Sequence, residues 1–326
     1  MPQSSNEIVI PRPGAVSGPP QPPIAGPDER IFTETFGKLL PEAKFLKTAH
    51  GTAAFYEILP LSSLSTEHSL PTLDRVLFIH GVQTPALGML PLARALHKSF
   101  PQAHFVLVDL WGHGLSDTPI LPHDMELFLR MFDRLLDQLE WPSAHIVGFS
   151  FGASLTTGYV SSRPSRVQSF VLIAPAGLIR SADFTAEEQA HLQGDDEIAA
   201  RRWVVEFLEG GDLVVPEDWK KRVDRGEVVA QAVKEWQLQH HPGHLASVVA
   251  MFRDGGALDN HLGFIKAAGT GTRALVVLGE RDGLSSSIEL KELGFTEITV
   301  VRHAGHGVVR ENILEVAESI QNFWPN

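Results

Sequence analysis

The sequence predicts a doubly wound α/β fold: a mostly parallel sheet with helices on both faces and a helical cap inserted into it. Three observations carry that prediction. Short, wholly apolar runs alternate with helical patterns over most of the 326 residues, as strands buried on both faces require. Gly148-Phe149-Ser150-Phe151-Gly152 stands where one such run gives way to a helix, a strand-to-helix corner with a serine at its apex. Residues 178–268 hold helical stretches and no convincing strand.

Residues 1–30 carry eight prolines and few large apolar side chains. Such a segment buries too little surface to order itself, so a disordered tail is expected. Residues 31–177 form the first part of the core. Phe45 to Thr48 and Ala53 to Leu59 flank His50-Gly51 and read as a hairpin. Val76 to Ile79 and Phe105 to Val108 are strands, with a helix from Pro91 to Phe100 between them. Met125 to Leu139 is a helix whose Phe128, Phe132, Leu135, Leu136 and Leu139 share one face. Ala144 to Val147 and Phe170 to Ile173 are the next strands.

The insertion, 178–268, reads as helices at Ala186 to Gln193, Glu197 to Leu208, Val228 to His240 and Leu245 to Phe252. It is placed over the carboxyl ends of the strands, where sites of α/β folds lie. Its aromatic residues either pack cap on body or face a ligand. Residues 269–326 complete the core with strands at Ala274 to Leu278 and Ile298 to Val301 and a last helix from Ile313 to Trp324.

Composition narrows the function. The net charge of −12 argues against nucleic acid or an anionic membrane as partner. The absence of cysteine excludes thiolate metal sites and a cysteine nucleophile. No apolar run is long enough to span a bilayer, and the first residues lack the basic-then-apolar pattern of a signal peptide. A cytoplasmic protein, monomer or homodimer, is expected.

The chemistry follows from the serine. A nucleophilic hydroxyl needs a base, and the base needs an orienting acid. Asp282, just past the strand that ends at Leu278-Gly279, is the candidate acid, ahead of Glu280. His306, after a strand and Ala304-Gly305 and before the final helix, is the candidate base, ahead of His303. An oxyanion hole needs two converging N–H donors. Phe151 follows the serine, and Val82 follows the His80-Gly81 turn after the first core strand. Gln83, Trp111, Phe149, Trp203, Trp236 and Val308 are the candidate substrate contacts. His240, His241, His244 and His261 are set aside as a metal site, because Pro242-Gly243 interrupts their helix. Asp109 and Asp117 are expected to hold their turn together by hydrogen bonds. No cofactor or metal is called for.

Together these residues resemble the α/β-hydrolase family over roughly residues 45 to 326. The likeness rests on His80-Gly81, the corner at Gly148 to Gly152, Gly279-x-x-Asp282, Gly305-His306 and Asp109-Leu110-Trp111-Gly112-His113-Gly114-Leu115-Ser116-Asp117, which is similar to the family's glycine-rich turn. The resemblance implies eight strands and a lid, and hydrolysis of esters, lactones or other acyl bonds. A serine at position 150 disfavours the dehalogenases and epoxide hydrolases of this fold, which use aspartate there. The expected function is a serine hydrolase for a small or medium apolar carboxylic ester or lactone. Carbon–carbon bond hydrolysis or another biosynthetic acyl reaction is the alternative, and a hydrolase-shaped ligand receptor the second.

Overall fold

The computed structural model describes residues 8–15, 19–61 and 73–324. Its eight strands are β1 (Lys44–Thr48), β2 (Gly51–Ile58), β3 (Arg75–Ile79), β4 (His104–Val108), β5 (Ala144–Phe149), β6 (Val167–Ile173), β7 (Arg273–Gly279) and β8 (Ile298–Val301). They form one sheet in the order β1-β2-β4-β3-β5-β6-β7-β8. The β1–β2 hairpin is antiparallel and joins β4 antiparallel; every other pairing is parallel. The direction of winding reverses at β3. From there the chain steps to β4 on one side and returns to β5 on the other, which opens the crevice where α/β folds bind ligands.

Alternation explains why both faces of the sheet are apolar. Leu77, Ile79, Val106, Ile146, Phe170 and Val276 enter one buried cluster. Their neighbours Val76, Phe78, Leu107, Val147, Val171 and Val277 enter a second. Successive strand side chains point to opposite faces, so wholly apolar strands need helices on both. The helices are α1 (Glu29–Phe36), α2 (Leu90–Ser99), α3 (Met125–Gln138), α4 (Phe151–Ser162), α5 (Ala186–Gln193), α6 (Glu197–Glu209), α7 (Trp219–Asp224), α8 (Ala230–His240), α9 (His244–Arg253), α10 (His261–Gly269), α11 (Ser287–Glu292), α12 (Val308–Glu311) and α13 (Ile313–Phe323). Helices α3, α4 and α10 cover the first face; α1, α2, α12 and α13 cover the second.

Two expectations need correction. The tail is ordered in part: Ile8 and Ile10 are buried against Ala246 and Ala250 of α9. Arg12 closes this contact with a bidentate pair to Asp254, Nε to Oδ2 at 2.6 Å and Nη2 to Oδ1 at 2.9 Å. Ile24 bridges Thr118, and α1 begins at Glu29, inside the span read as tail. Two isoleucines and one paired arginine suffice to dock a segment that composition alone leaves without a core. Residues 1–7 and 16–18 of that span lie outside the described residues. The insertion is also not all cap. Helix α10 packs on α4 beneath the sheet, where Phe264 is fully buried, while α5, α6, α8 and α9 lie over the strand ends.

The loops at those strand ends are braced by buried imidazoles. Leu110 N–H donates to His80 Nε2 at 2.9 Å, and His80 Nδ1–H donates to the Gly81 carbonyl at 2.6 Å. Gln83 N–H reaches His113 Nε2 at 3.3 Å, and His113 Nδ1–H donates to Trp111 O. From α8's end and α9, His241 donates to Ser116 O and His244 to Gly112 O. His241 and His244 are two of the four histidines set aside as a metal site; their ring N–H groups are spent on carbonyls of the turn 109–117. Asp109 holds that turn through Leu115 N–H but also gathers Ala86 N–H and the Tyr56 hydroxyl. Asp117 ties in the Gly26 and Thr52 N–H groups, outside its own turn. Burial lowers His80 and His241 to about 4 and His244 to about 3. Burial and the neighbouring His244 and His80 hold His113 well below its ordinary value. Burial pushes Asp109 up to about 6.

Two outcomes are expected. Ile10→Ala should destabilise the protein by about 2 kcal/mol, read as a lower denaturant midpoint; an unchanged midpoint would show that the tail does not dock. Acid should destabilise it more sharply. A histidine with a depressed folded-state value takes its proton first in the unfolded chain, so stability present above the ordinary value of 6.5 is lost as pH falls towards 4. Each such group withdraws up to about 1.4 kcal/mol per pH unit. Asp109, with a raised value, opposes this as a single group. Thermal midpoints should drop between pH 6.5 and 4.5; a flat profile would contradict the neutral histidine brace.

Candidate active site

Ser150 sits between β5 and α4 with φ 54° and ψ −117°, a region that side chains other than glycine rarely adopt. The corner survives because its surroundings leave no other path. A Cβ on Gly148 would lie 2.4 Å from Thr156 Oγ1, and one on Gly152 would lie 2.2 Å from the Ile79 carbonyl oxygen. The helix is thus drawn down onto the end of β3. Ser150 N–H is held by the Ile173 carbonyl at 2.9 Å, which fixes the corner to the end of β6.

His306 arrives on the loop between β8 and α12, and Asp282 on the turn after β7. Ser150 Oγ and His306 Nε2 are 2.9 Å apart, and His306 Nδ1 and Asp282 Oδ2 are 2.9 Å apart. The other Asp282 oxygen accepts Leu284 N–H at 3.1 Å. Asp282 is 1% exposed and His306 37%. That asymmetry suits an acid that orients and a base that must meet solvent. Three residues from distant parts of the chain therefore meet in one hydrogen-bonded line. The two competitors meet elsewhere: Glu280 accepts His303 N–H at 2.8 Å, on the exposed side of the loop.

Above the serine lies a cavity of about 310 Å³. Val82 and Phe151, the candidate oxyanion donors, line it. Phe151 is the first residue of α4, whose N–H has no partner within its helix, and among the described residues no turn, loop or cap carbonyl accepts from either N–H. The loop carrying Val82 is pressed against the corner: a Cβ on Gly81 would lie 2.8 Å from Ser150 Cβ. Gln83 follows with φ 67°. Its Nε2 donates to Glu209 Oε1 of α6 at 2.6 Å, Glu209 pairs with Lys234 of α8 at 2.9 Å, and the Gln83 carbonyl accepts from Gln237. The cap is joined to the oxyanion loop at this point.

Of the expected substrate contacts, Gln83 and Phe149 line the cavity; Trp111, Trp203, Trp236 and Val308 do not. Trp111 is buried beneath the turn 109–117 in the first apolar cluster. Trp203 stacks on Phe207, with ring centroids 5.2 Å apart, and lies behind it. Trp236 packs edge-on against Phe32 of α1 at 5.2 Å. Val308 faces the second cluster under α12. Large aromatic area is buried wherever packing allows, and here packing took it. The residues missed are Phe207, Phe252, Lys234 and Arg310, which do line the cavity. The available signal for Arg310 was its place four residues past His306, in an otherwise apolar turn.

Comparison with known proteins bears on the fold. Residues 74–210 match the family model described as alpha/beta hydrolase fold. The chain is 27% identical over 232 residues to the dihydrolipoyllysine-residue acetyltransferase component of the acetoin cleaving system of Pseudomonas putida, covering 67% of this chain and 55% of that one. It is 27% identical over 106 residues to a poly(3-hydroxyalkanoate) depolymerase of Ectopseudomonas oleovorans, covering 32% and 36%. The chain thus spans about half the length of the first relative and about a third of the second. Among solved structures, the enol-lactonase of Burkholderia xenovorans superposes with a TM-score of 0.62 at 16% identity, over 86% of this chain and 99% of that one. A meta-cleavage product hydrolase of Pseudomonas fluorescens gives 0.59 at 19%, over 87% and 97%. At such identities the likeness is one of fold. The eight-stranded sheet, its strand order and these matches agree on one point: the chain has the α/β-hydrolase fold.

Proposed function

We propose that the protein is a serine hydrolase that cleaves a small or medium carboxylic ester or lactone through an acyl-enzyme. The observation that carries this reading is the unbroken line Ser150–His306–Asp282 beside a cavity above the serine. His306 Nε2 accepts the Ser150 proton as Oγ attacks the carbonyl carbon. Asp282 accepts from Nδ1–H, fixes that tautomer and stabilises the imidazolium. The Val82 and Phe151 N–H groups receive the oxygen of the tetrahedral intermediate, where charge develops. His306 then protonates the leaving oxygen, the carbonyl re-forms as the acyl-serine, and water deprotonated by His306 releases the acid. Phe149, Phe207, Leu208, Phe252 and Leu258 supply apolar walls for the acyl body.

Ser150→Ala should lower kcat by about 10⁶ and abolish labelling by a fluorophosphonate probe. Wild-type turnover of 4-nitrophenyl esters that survives this substitution would refute the nucleophile. Gly81→Ala tests the oxyanion loop. The new methyl must push that loop from Ser150, and losing one donor should cost about 10²–10³ in kcat, while fluorophosphonate labelling is slowed rather than abolished. Unchanged kcat would place the oxyanion donors elsewhere.

A further inference from the structure

The cavity wall carries three cations and one carboxylate: Lys234, Arg281, Arg310 and Asp282. Asp282 is engaged with His306 and Leu284. Lys234 is paired with Glu209. Arg281 faces His303 Nδ1 at 3.4 Å on the exposed rim. Arg310 is different. Among the described residues it forms no ion pair, and its one hydrogen bond, Nη1–H to Thr84 Oγ1, is 3.5 Å long, at the limit of a useful bond. Its guanidinium lies over the Phe149 ring, 5.3 Å from the centroid. The Phe149 ring also meets His306, centroid to centroid 5.2 Å. One aromatic ring therefore separates a guanidinium without a counter-ion from the imidazole bonded to Ser150.

Arg310 is half-buried in the cavity wall, and a cation partly withdrawn from water without an anion carries a desolvation cost. Burial accordingly draws the Arg310 guanidinium below its ordinary range. Its planar fork of donors matches a carboxylate, which it can take bidentately. Phe207, Leu208 and Phe252 of the cap add apolar surface to the wall and no charge. Arg281 also has no carboxylate partner among the described residues but lies on the exposed rim, so Arg310 is the half-buried cation left for one monoanion, and the cavity is at the small end of the range for ligand sites. We propose that the substrate is an acyl compound bearing a free carboxylate, gripped by Arg310 while its ester or lactone carbonyl lies at Ser150. The chemistry at the carbonyl rests on the serine-hydrolase reading above; the anion site does not.

The test separates the two. Glutarate is titrated by calorimetry into Ser150→Ala protein and into Ser150→Ala/Arg310→Gln and Ser150→Ala/Arg310→Lys proteins, each checked by circular dichroism. Glutarate should bind the first, bind at least about 30-fold more weakly to the glutamine variant, and recover in part with lysine. With Ser150 intact, the ratio of kcat/KM for mono-4-nitrophenyl glutarate to that for 4-nitrophenyl butyrate should exceed one and fall about 30-fold or more in Arg310→Gln. Glutarate that does not bind, or that binds alike with and without Arg310, overturns the anion site even if Ser150 hydrolyses both esters. Arg310-dependent binding without turnover or fluorophosphonate labelling supports the anion site and removes the hydrolase reading instead. If the glutamine variant does not fold, the lysine variant decides: weakened binding supports the site, and unchanged affinity overturns it.

Discussion

The site depends on a single steric constraint, the contact of the β5–α4 corner with the end of β3. The backbone at Gly152 lies so close to the Ile79 and His80 carbonyls that even a methyl group is excluded, and a Cβ on Gly81 would lie only 2.8 Å from that of Ser150. These contacts make the positive φ of Ser150 tolerable, since the strain of one residue, about 1–3 kcal/mol, is opposed by the packing of two strands and a helix. They also set the catalytic geometry. The corner that lifts the hydroxyl above the sheet brings the first N–H of α4 and the loop after β3 to the same point. The exposed serine hydroxyl and the two candidate oxyanion donors are therefore consequences of one close approach.

Electrostatics follow from how deeply this approach is buried. Besides the carboxyls of Asp109 and Asp117, the loops that carry the site are braced by neutral imidazoles, which avoid the desolvation cost of further buried charge. His80, His113, His241 and His244 each spend a ring N–H on a carbonyl, and His80 and His113 each accept a backbone N–H with the other nitrogen. Against that neutral scaffold the few remaining charges stand out. Asp282 is balanced by His306 and Glu209 by Lys234. Among the described residues Arg310 has no such balance. A few precisely placed polar groups are what fix the orientation of a ligand in a small pocket.

What was legible in the sequence was what local rules write. Apolar strands, a glycine–serine–glycine corner and a carboxylate and histidine just past strand ends are set within a few residues of each other, and the strand spans matched to within three residues. Ser150, Asp282 and His306 could be found because each belongs to a strand end, and strand ends of a parallel sheet share one edge. The pocket wall follows no such rule. Trp203 and Phe207 lie one helical turn apart on α6, are alike in chemistry and stack on each other, yet Phe207 alone lines the cavity. Which of them does so is decided by how α6 lies against α9 and the core, a matter of long-range packing. The same holds for Ile8 and Ile10, whose docking depends on a small apolar groove on α9 more than two hundred residues away.

The cap is therefore more than a cover. Gln83 takes φ 67°, an unfavourable conformation for a residue with a side chain, directly after a candidate oxyanion donor. Three bonds hold it there: Gln83 N–H to His113, its side chain to Glu209, and its carbonyl from Gln237. Two of the three partners are cap residues, and Lys234, also of the cap, fixes Glu209. A loop in a strained conformation moves when its restraints go, because nothing intrinsic to the chain keeps it there. The direction of the Val82 N–H is thus tied to the position of α6 and α8 through covalent neighbours, Val82 lining the cavity and Gln83 bonded to the cap.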